Sequence, residues 1–399
     1  MRNFLVLLLL CGLAFLGYQT IGTTWAAPPE QGDAGPGEGP DGTSTKLVQN
    51  DGATAPNGDL HPKVQPVVHV GQTPPNGARE RYTGAVAAAA GGDNAALTAA
   101  TAAFCRGNAA DLGDVLAAGV ARLAEAGRLS DAIVAAGDDN RLLRATGLAV
   151  VQESLLRAME RASPTERAEL LSSWVDLITR GPVRVWRANY PVLKQAYIAL
   201  QRALEGVLFD RNGTWRSRLH KVRPGESLAR IAIDFEKETG LPMAAGLLRR
   251  INGIQDPKLL QAGVRLRIPT DRIHVIVEKS TYSLKVYLGS LVVRLYQVGL
   301  GKDGRTPEVE FSLSEKQNKP DWTEPRTGEL IPYGDPRHLI GDYFLKLSHP
   351  VHDGFGLHGT ADKGSIGQDS SMGCIRLRAT DMAAVFDYLP RRAKLVVRP

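Results

Sequence analysis

Cysteine is scarce in this 399-residue chain: only Cys11, Cys105 and Cys374 occur. Three thiols far apart exclude a disulfide scaffold and a four-ligand zinc ribbon. Charge of one sign is also missing, because 48 Lys and Arg are interspersed with 42 Asp and Glu for a net +6. That balance argues against a nucleic-acid partner. The longest apolar run, Phe4 to Leu16, is shorter than the roughly 20 residues a membrane helix needs. It follows Arg2 and precedes the small-x-small tripeptide Thr24-Trp25-Ala26, so residues 1–26 read either as a cleaved export signal or as an uncleaved N-terminal membrane tether. Leu10 stands before Cys11 where a lipidation site wants a small residue.

Four kinds of text follow, and the expected class is a multidomain α+β protein. Residues 27–84 are dense in Gly, Pro, Asp and Thr without apolar periodicity, which predicts a disordered linker. Residues 85–215 are expected to be an all-α unit. Leu112, Val115, Leu116, Val120 and Leu123 recur at helical spacing. Ser163, Pro164 and Glu166 have the order of a capping box, opening a helix with the stripe Leu170, Leu171, Trp174, Leu177 and Ile178 that Gly181-Pro182 ends. Trp174, Trp186 and Cys105 are expected in the core. No residue of this region carries chemistry, and an unidentified protein is its candidate partner.

Residues 219–269 hold Val222-x-Pro224-Gly225-Glu226-Ser227-Leu228, then Asn252-Gly253 and a closing Leu266-x-Ile268-Pro269. They predict a strand, a Pro-Gly turn, a helix from Ser227 and a last strand. The pattern resembles a LysM module, a βααβ unit, which implies binding of peptidoglycan glycan strands. The implied contacts are Gly225, Glu226, Ser227, Asn252, Gly253 and Ile254.

From residue 272 to 398 the text is mostly β, with strands over Ile273–Val277, Ser283–Tyr287 and Leu291–Tyr296 and a short helix near Thr380–Leu389. Here lies the chemistry. His358 precedes Cys374 by sixteen residues, and Gly373 precedes the sulfur. A free thiol has a pKa of about 8.5, so nucleophilic use requires a base within hydrogen-bond reach. His358 is the nearest candidate. The backbone N–H groups of Gly373 and Cys374 are candidates to face a developing oxyanion.

The ordered run His358-Gly359-Thr360, Ser365-Ile366-Gly367, Ser371-Met372-Gly373-Cys374-Ile375-Arg376-Leu377 and Asp381 resembles the YkuD-type L,D-transpeptidases. Three departures stand out. Met372 replaces a His that many members carry, Thr306-Pro307-Glu308-Val309-Glu310-Phe311 lacks the family's Gly, and His338 stands where Asn is usual. The resemblance implies that Cys374 forms an acyl-thioenzyme on peptidoglycan tetrapeptide stems, that the Gly359 carbonyl holds the His358 ring, and that Arg376, Ser371 and His352 meet substrate or shape the cleft. It implies no metal, no organic cofactor, and an exported enzyme of the periplasm or cell wall. The acceptor stays open among a second stem (a 3-3 cross-link), water (carboxypeptidase) and a protein.

Other readings compete. Gly299-x-Gly301-x-x-Gly304 matches a dinucleotide string, but Thr306-Pro307 follows where a helix should open. His338, His349, His352 and His358 cluster without metal-ligand spacing. A papain-like peptidase would place Cys before His, opposite to the order here. A catalytically idle wall-binding scaffold is the alternative outside enzymes.

Overall fold

The computed structural model describes residues 148–180 and 190–399. The expectations for the N-terminal signal, the linker, the stripe from Leu112 to Leu123, Cys105, the stop at Gly181-Pro182 and Trp186 lie outside the described residues. Within them, three helices come first: α1 (Leu148–Met159), α2 (Pro164–Ile178) and α3 (Tyr190–Val207). Ser163 caps α2 by accepting from Glu166 N–H, and Pro164 sits where its missing N–H costs nothing. Leu170, Leu171, Trp174 and Ile178 are buried as the periodicity requires, whereas Leu177 is half-buried. Trp174 Nε1 donates to the buried Gln152 Oε1 at 3.0 Å.

A small unit follows: β1 (Ser217–Lys221), α4 (Leu228–Thr239), α5 (Ala245–Ile251) and β2 (Arg265–Pro269), with β1 antiparallel to β2. Ser227 caps α4 by accepting from Arg230 N–H. This is the expected βααβ order.

The remaining chain builds an eight-stranded sheet from β3 (Ile273–Glu278), β4 (Ser283–Leu288), β5 (Leu291–Gln297), β7 (Glu310–Asn318), β10 (Tyr343–Ser348), β11 (Gly356–Thr360), β13 (Ile375–Arg378) and β14 (Lys394–Arg398). Its strand order is β13-β11-β10-β7-β14-β3-β4-β5. The pairs β11/β13 and β14/β3 are parallel and the others antiparallel. Short strands β6 (Leu300–Gly301) and β12 (Asp369–Ser371) pair beside it, and β8 (Trp322–Thr323) with β9 (Leu330–Ile331) forms a hairpin. Helix α6 (Ala379–Tyr388) packs on β10, β11 and β13.

Strand β4 is buried along its whole length, and β5 everywhere except Arg294. Strands covered on both faces need apolar residues at nearly every position. Helices α2 and α3 supply cover at the β5 edge. Val292 N–H donates to Ser172 Oγ on α2 at 3.1 Å, and Leu295 N–H to Tyr197 Oη on α3 at 3.3 Å. Side chains thus satisfy the outward backbone donors of the edge strand, which would otherwise invite another strand. The helices share one core with the sheet.

Lys285 on β4 is 0 % exposed and binds Asp176 of α2 at 2.7 Å, Thr179 at 3.2 Å and Glu278 of β3 at 3.4 Å. Tyr287 also donates to Asp176. Burial alone would raise the Asp176 carboxyl, but the Lys285 ammonium and these hydrogen bonds hold it below the ordinary carboxylate range. The βααβ unit is fastened too. Arg267 of β2 is 4 % exposed and its guanidinium donates to the carbonyls of Leu208, Asp210 and Trp215 beyond α3, at 3.3, 2.6 and 3.0 Å. Arg249 of α5 bridges Asp387 of α6 at 2.9 Å.

Asp381, in the first turn of α6, is 0 % exposed, and neither carboxyl oxygen has a hydrogen-bond partner. Burial pushes its pKa up to about 7, against the pull of Arg378. A folded-state pKa above the unfolded value of about 3.9 means stability that is complete below pH 4 and lost as pH rises through 7. The stability of Asp381→Asn relative to wild type should therefore grow by about 1.4 kcal/mol per pH unit across that window, approaching about 4 kcal/mol. Urea unfolding of both proteins at pH 5 and pH 8 checks this, and an unchanged difference would contradict the neutral buried acid.

Candidate active site

Strand register builds the floor of the cleft. On β11, His358 lies opposite Arg376 of β13 and opposite Phe344 of β10, and Phe344 in turn faces Gln317 of β7. One row of the sheet therefore reads Arg376, His358, Phe344, Gln317. Side chains two residues apart share a face. Cys374, two residues before Arg376, joins the same face with Lys346 and Glu315, which oppose each other on β10 and β7. All these residues line a single cleft of ≈ 970 Å³, walled by the β8–β9 hairpin with Trp322, Arg326 and Arg337, and by Met372. That volume lies at the upper end of the range for ligand pockets.

The His358 ring is 6 % exposed, and its Nδ1 donates to Gly359 O at 2.7 Å. A carbonyl can only accept, so the proton sits on Nδ1 and the Nε2 lone pair is free. Burial pushes the His358 pKa down to about 4, while the hydrogen bond to Gly359 opposes that shift. The half-buried Cys374 thiol is pushed up by burial, opposed by a backbone contact at Gly356 and by the Arg376 charge. Both shifts favour a neutral thiol and a neutral imidazole at neutral pH. Cys374 Sγ lies 3.7 Å from Gly354 O.

The turn before the sulfur is tied internally. Ser371 Oγ accepts from Gly373 N–H at 3.1 Å and donates to Cys374 O at 2.6 Å. Gly373 has φ +138°, and a Cβ there would stand 2.8 Å from Phe355 Cε1, so only glycine fits. Of the two backbone donors expected to face an oxyanion, Gly373 N–H is engaged by Ser371. Cys374 N–H has no acceptor among the described residues.

His352 is not among the residues lining the cleft; its ring meets His349 at 4.9 Å and the edge of Phe355 at 6.1 Å, and Phe355 lines the cleft instead. His338 Nε2 donates to Pro320 O and packs edge-on against Trp322 and Tyr333, bracing the hairpin wall. Lys346, Glu315 and Gln317 were missed from sequence. Strand alternation puts them on one face, but only the pairing of β7 with β10 brings that face to the sulfur.

In the βααβ unit, Gly225, Glu226 and Ser227 open α4 and Asn252, Gly253 and Ile254 close α5. The Asn252 amide is spent within the fold: it donates to Leu248 O and Arg267 O and accepts from Arg267 N–H. Glu226 accepts from Arg223 N–H and pairs with His220. Gly225, Ser227 and Gly253 are exposed and Ile254 half-buried.

Comparison with known proteins agrees with this division. A family model described as the L,D-transpeptidase catalytic domain matches residues 272–397, and one for the LysM domain matches 220–269. YqjB of Bacillus subtilis strain 168, named as an L,D-transpeptidase, is 32% identical over 127 residues, which are 31% of this chain and 70% of that protein. YkuD of Bacillus licheniformis, named likewise, is 29% identical over 190 residues, 45% of this chain and 99% of that protein. Among solved structures, an L,D-transpeptidase from Mycobacterium smegmatis matches at 20% identity and TM-score 0.28, covering 34% of this chain and 64% of that one. LdtMt1 in complex with imipenem matches at 19% and 0.27, covering 34% and 63%. This chain thus spans a little under two thirds of those solved chains. It is a multidomain α+β protein with a LysM domain before a mostly-β catalytic domain, and it belongs to the L,D-transpeptidase family.

Proposed function

We propose that this protein is a peptidoglycan L,D-transpeptidase working through a Cys374 thioester. The observation that carries the reading is the convergence of Cys374 and His358 on one cleft, with the Gly359 carbonyl fixing the ring so that Nε2 can accept a proton. Cys374 Sγ attacks the carbonyl of the third residue of a tetrapeptide stem as its proton passes to His358 Nε2. The tetrahedral oxyanion accepts from Cys374 N–H. The bond to the terminal D-Ala then breaks, and His358 returns the proton to the leaving amine. An amine from a second stem attacks the thioester, giving a 3-3 cross-link and restoring the thiol; water in its place would give carboxypeptidase activity. The cleft favours an amine acceptor through Glu315, whose carboxylate accepts from Gln317 Nε2 at 2.9 Å on the same floor and suits an ammonium before it loses its proton. Ser371 holds the nucleophile's turn, and Arg376 suits a substrate carboxylate.

The test is incubation with a disaccharide-tetrapeptide followed by mass spectrometry. Release of D-Ala with a dimeric product is expected from wild type. Hydrolysed tripeptide alone would make water the acceptor, and no release would reject the reaction.

The LysM domain is proposed to hold the glycan strand, consistent with an exported enzyme of the cell wall. Ile254→Glu places a charge at the end of α5 in a glycan-facing loop, and its retention on purified peptidoglycan should fall several-fold in a pull-down. Undiminished retention would move glycan binding elsewhere in the chain.

A further inference from the structure

Thr306 is the least exposed hydroxyl near the cleft, at 1 %, and it does not line the cleft. Its Oγ1 accepts from Gly301 N–H at 2.8 Å and donates to Gly373 O at 2.8 Å. One hydroxyl therefore joins the short strand β6 to the carbonyl immediately before the nucleophile. The approach leaves no slack: a Cβ at Gly301 would stand 2.8 Å from Gly373 Cα and from Thr306 N.

A trans peptide points its C=O and its N–H in opposite directions. With the Gly373 carbonyl held against buried Thr306, the Cys374 N–H of the same peptide plane must face away from it. It is the donor left without an acceptor, whereas Gly373 N–H is already bound by Ser371 Oγ. Glycine at φ +138° lets this plane rotate with little steric cost, so something outside the turn must fix its angle.

We infer that Thr306 is a positioning residue that orients the Gly373–Cys374 peptide, so that Cys374 N–H donates to the oxyanion formed on acylation. Thr306 touches no substrate and acts through the peptide. The inference rests on the Cys374 acylation reading, and its test separates the two.

Two reactions of the same sulfur tell positioning from general damage. Acylation by imipenem passes through an oxyanion, whereas alkylation by iodoacetamide is a displacement that forms none. In Thr306→Val, which keeps the volume and removes the hydroxyl, imipenem acylation should slow about tenfold to hundredfold, less than the roughly 10²- to 10³-fold of removing an oxyanion donor outright, because the donor is misaimed and not lost. Iodoacetamide alkylation should stay within about twofold of wild type, since no oxyanion contact is involved. Thr306→Ser keeps the hydroxyl and should recover most of the acylation rate. Equal acylation in Thr306→Val and wild type overturns the inference while leaving Cys374 chemistry intact. A parallel fall in acylation and alkylation overturns it too, because the turn as a whole has then collapsed. A wild type that alkylates but never acylates sinks both readings. Should Thr306→Val fail to fold, Thr306→Ala carries the same comparison with less strain.

Discussion

His358→Gln should acylate about 10²- to 10⁴-fold more slowly than wild type, the usual weight of a positioned general base, while its fold resists acid better than the wild type does. The two effects have one cause. Burial pushes the His358 pKa down to about 4, from an unfolded value of about 6.5. A neutral imidazole is available to take the thiol proton at every pH above 4, so the wild-type acylation rate should lose its base with a midpoint near pH 4. A midpoint near 6.5 would mean a solvated ring and contradict the burial. The linkage runs in the same direction: a depressed folded-state pKa gives stability that is present above pH 6.5 and lost as pH falls to 4. The loss amounts to about 3 kcal/mol. Glutamine does not titrate, so the variant should lack that component in urea unfolding at pH 7 and pH 4. A variant that is slower and also more acid-sensitive would indicate damage to the sheet.

Lys285→Ala should destabilise the protein by about 3–5 kcal/mol, because it removes the one fully buried cation between Asp176 and Glu278 and leaves them only the partly exposed Arg180 and Arg398. Lys285→Met with Asp176→Leu should recover part of that loss and no more, since apolar replacement of a buried pair is often near neutral but Glu278 stays behind with Arg398 alone. Urea unfolding measures both. The transition should be single and cooperative, because α2 and α3 cap the edge of β5 and share the core of the sheet. A loss below about 1 kcal/mol would mean that water reaches the ammonium, as in an exposed pair.

What the sequence disclosed follows from the range of the forces involved. Local signals read true: Ser163 and Ser227 cap the helices they should, and the strands at Ile273, Ser283 and Leu291 start where apolar text starts. Cys374 and His358 could be named as candidates because their residue types and the glycine neighbour suit that chemistry, and the fold brings both to one cleft. Long-range pairing was not legible. Lys285 stands among apolar residues of its strand, and only partners from other elements, Asp176 from 109 residues away with Thr179 and Glu278, make its burial tolerable. Glu315 and Lys346 reach the cleft floor because β7 pairs with β10 in the register that sets these two residues opposite each other, up to an irregularity at Leu347. The helices α2 and α3 read as part of a separate helical unit because their apolar stripes name no partner; among the described residues they pack on the β5 edge. Thr306 was visible only as part of a motif, since its worth lies in a bond to a carbonyl 67 residues away.

Whether Cys374, served by His358, takes an acyl group in the cleft is decided by intact-protein mass spectrometry with imipenem, followed by peptide mapping. Wild type should gain the mass of one acyl group on the peptide containing Cys374, and Cys374→Ala should gain none. An adduct that persists in Cys374→Ala, or a correctly folded wild type that gains no mass, would rule out Cys374 as the acylated nucleophile.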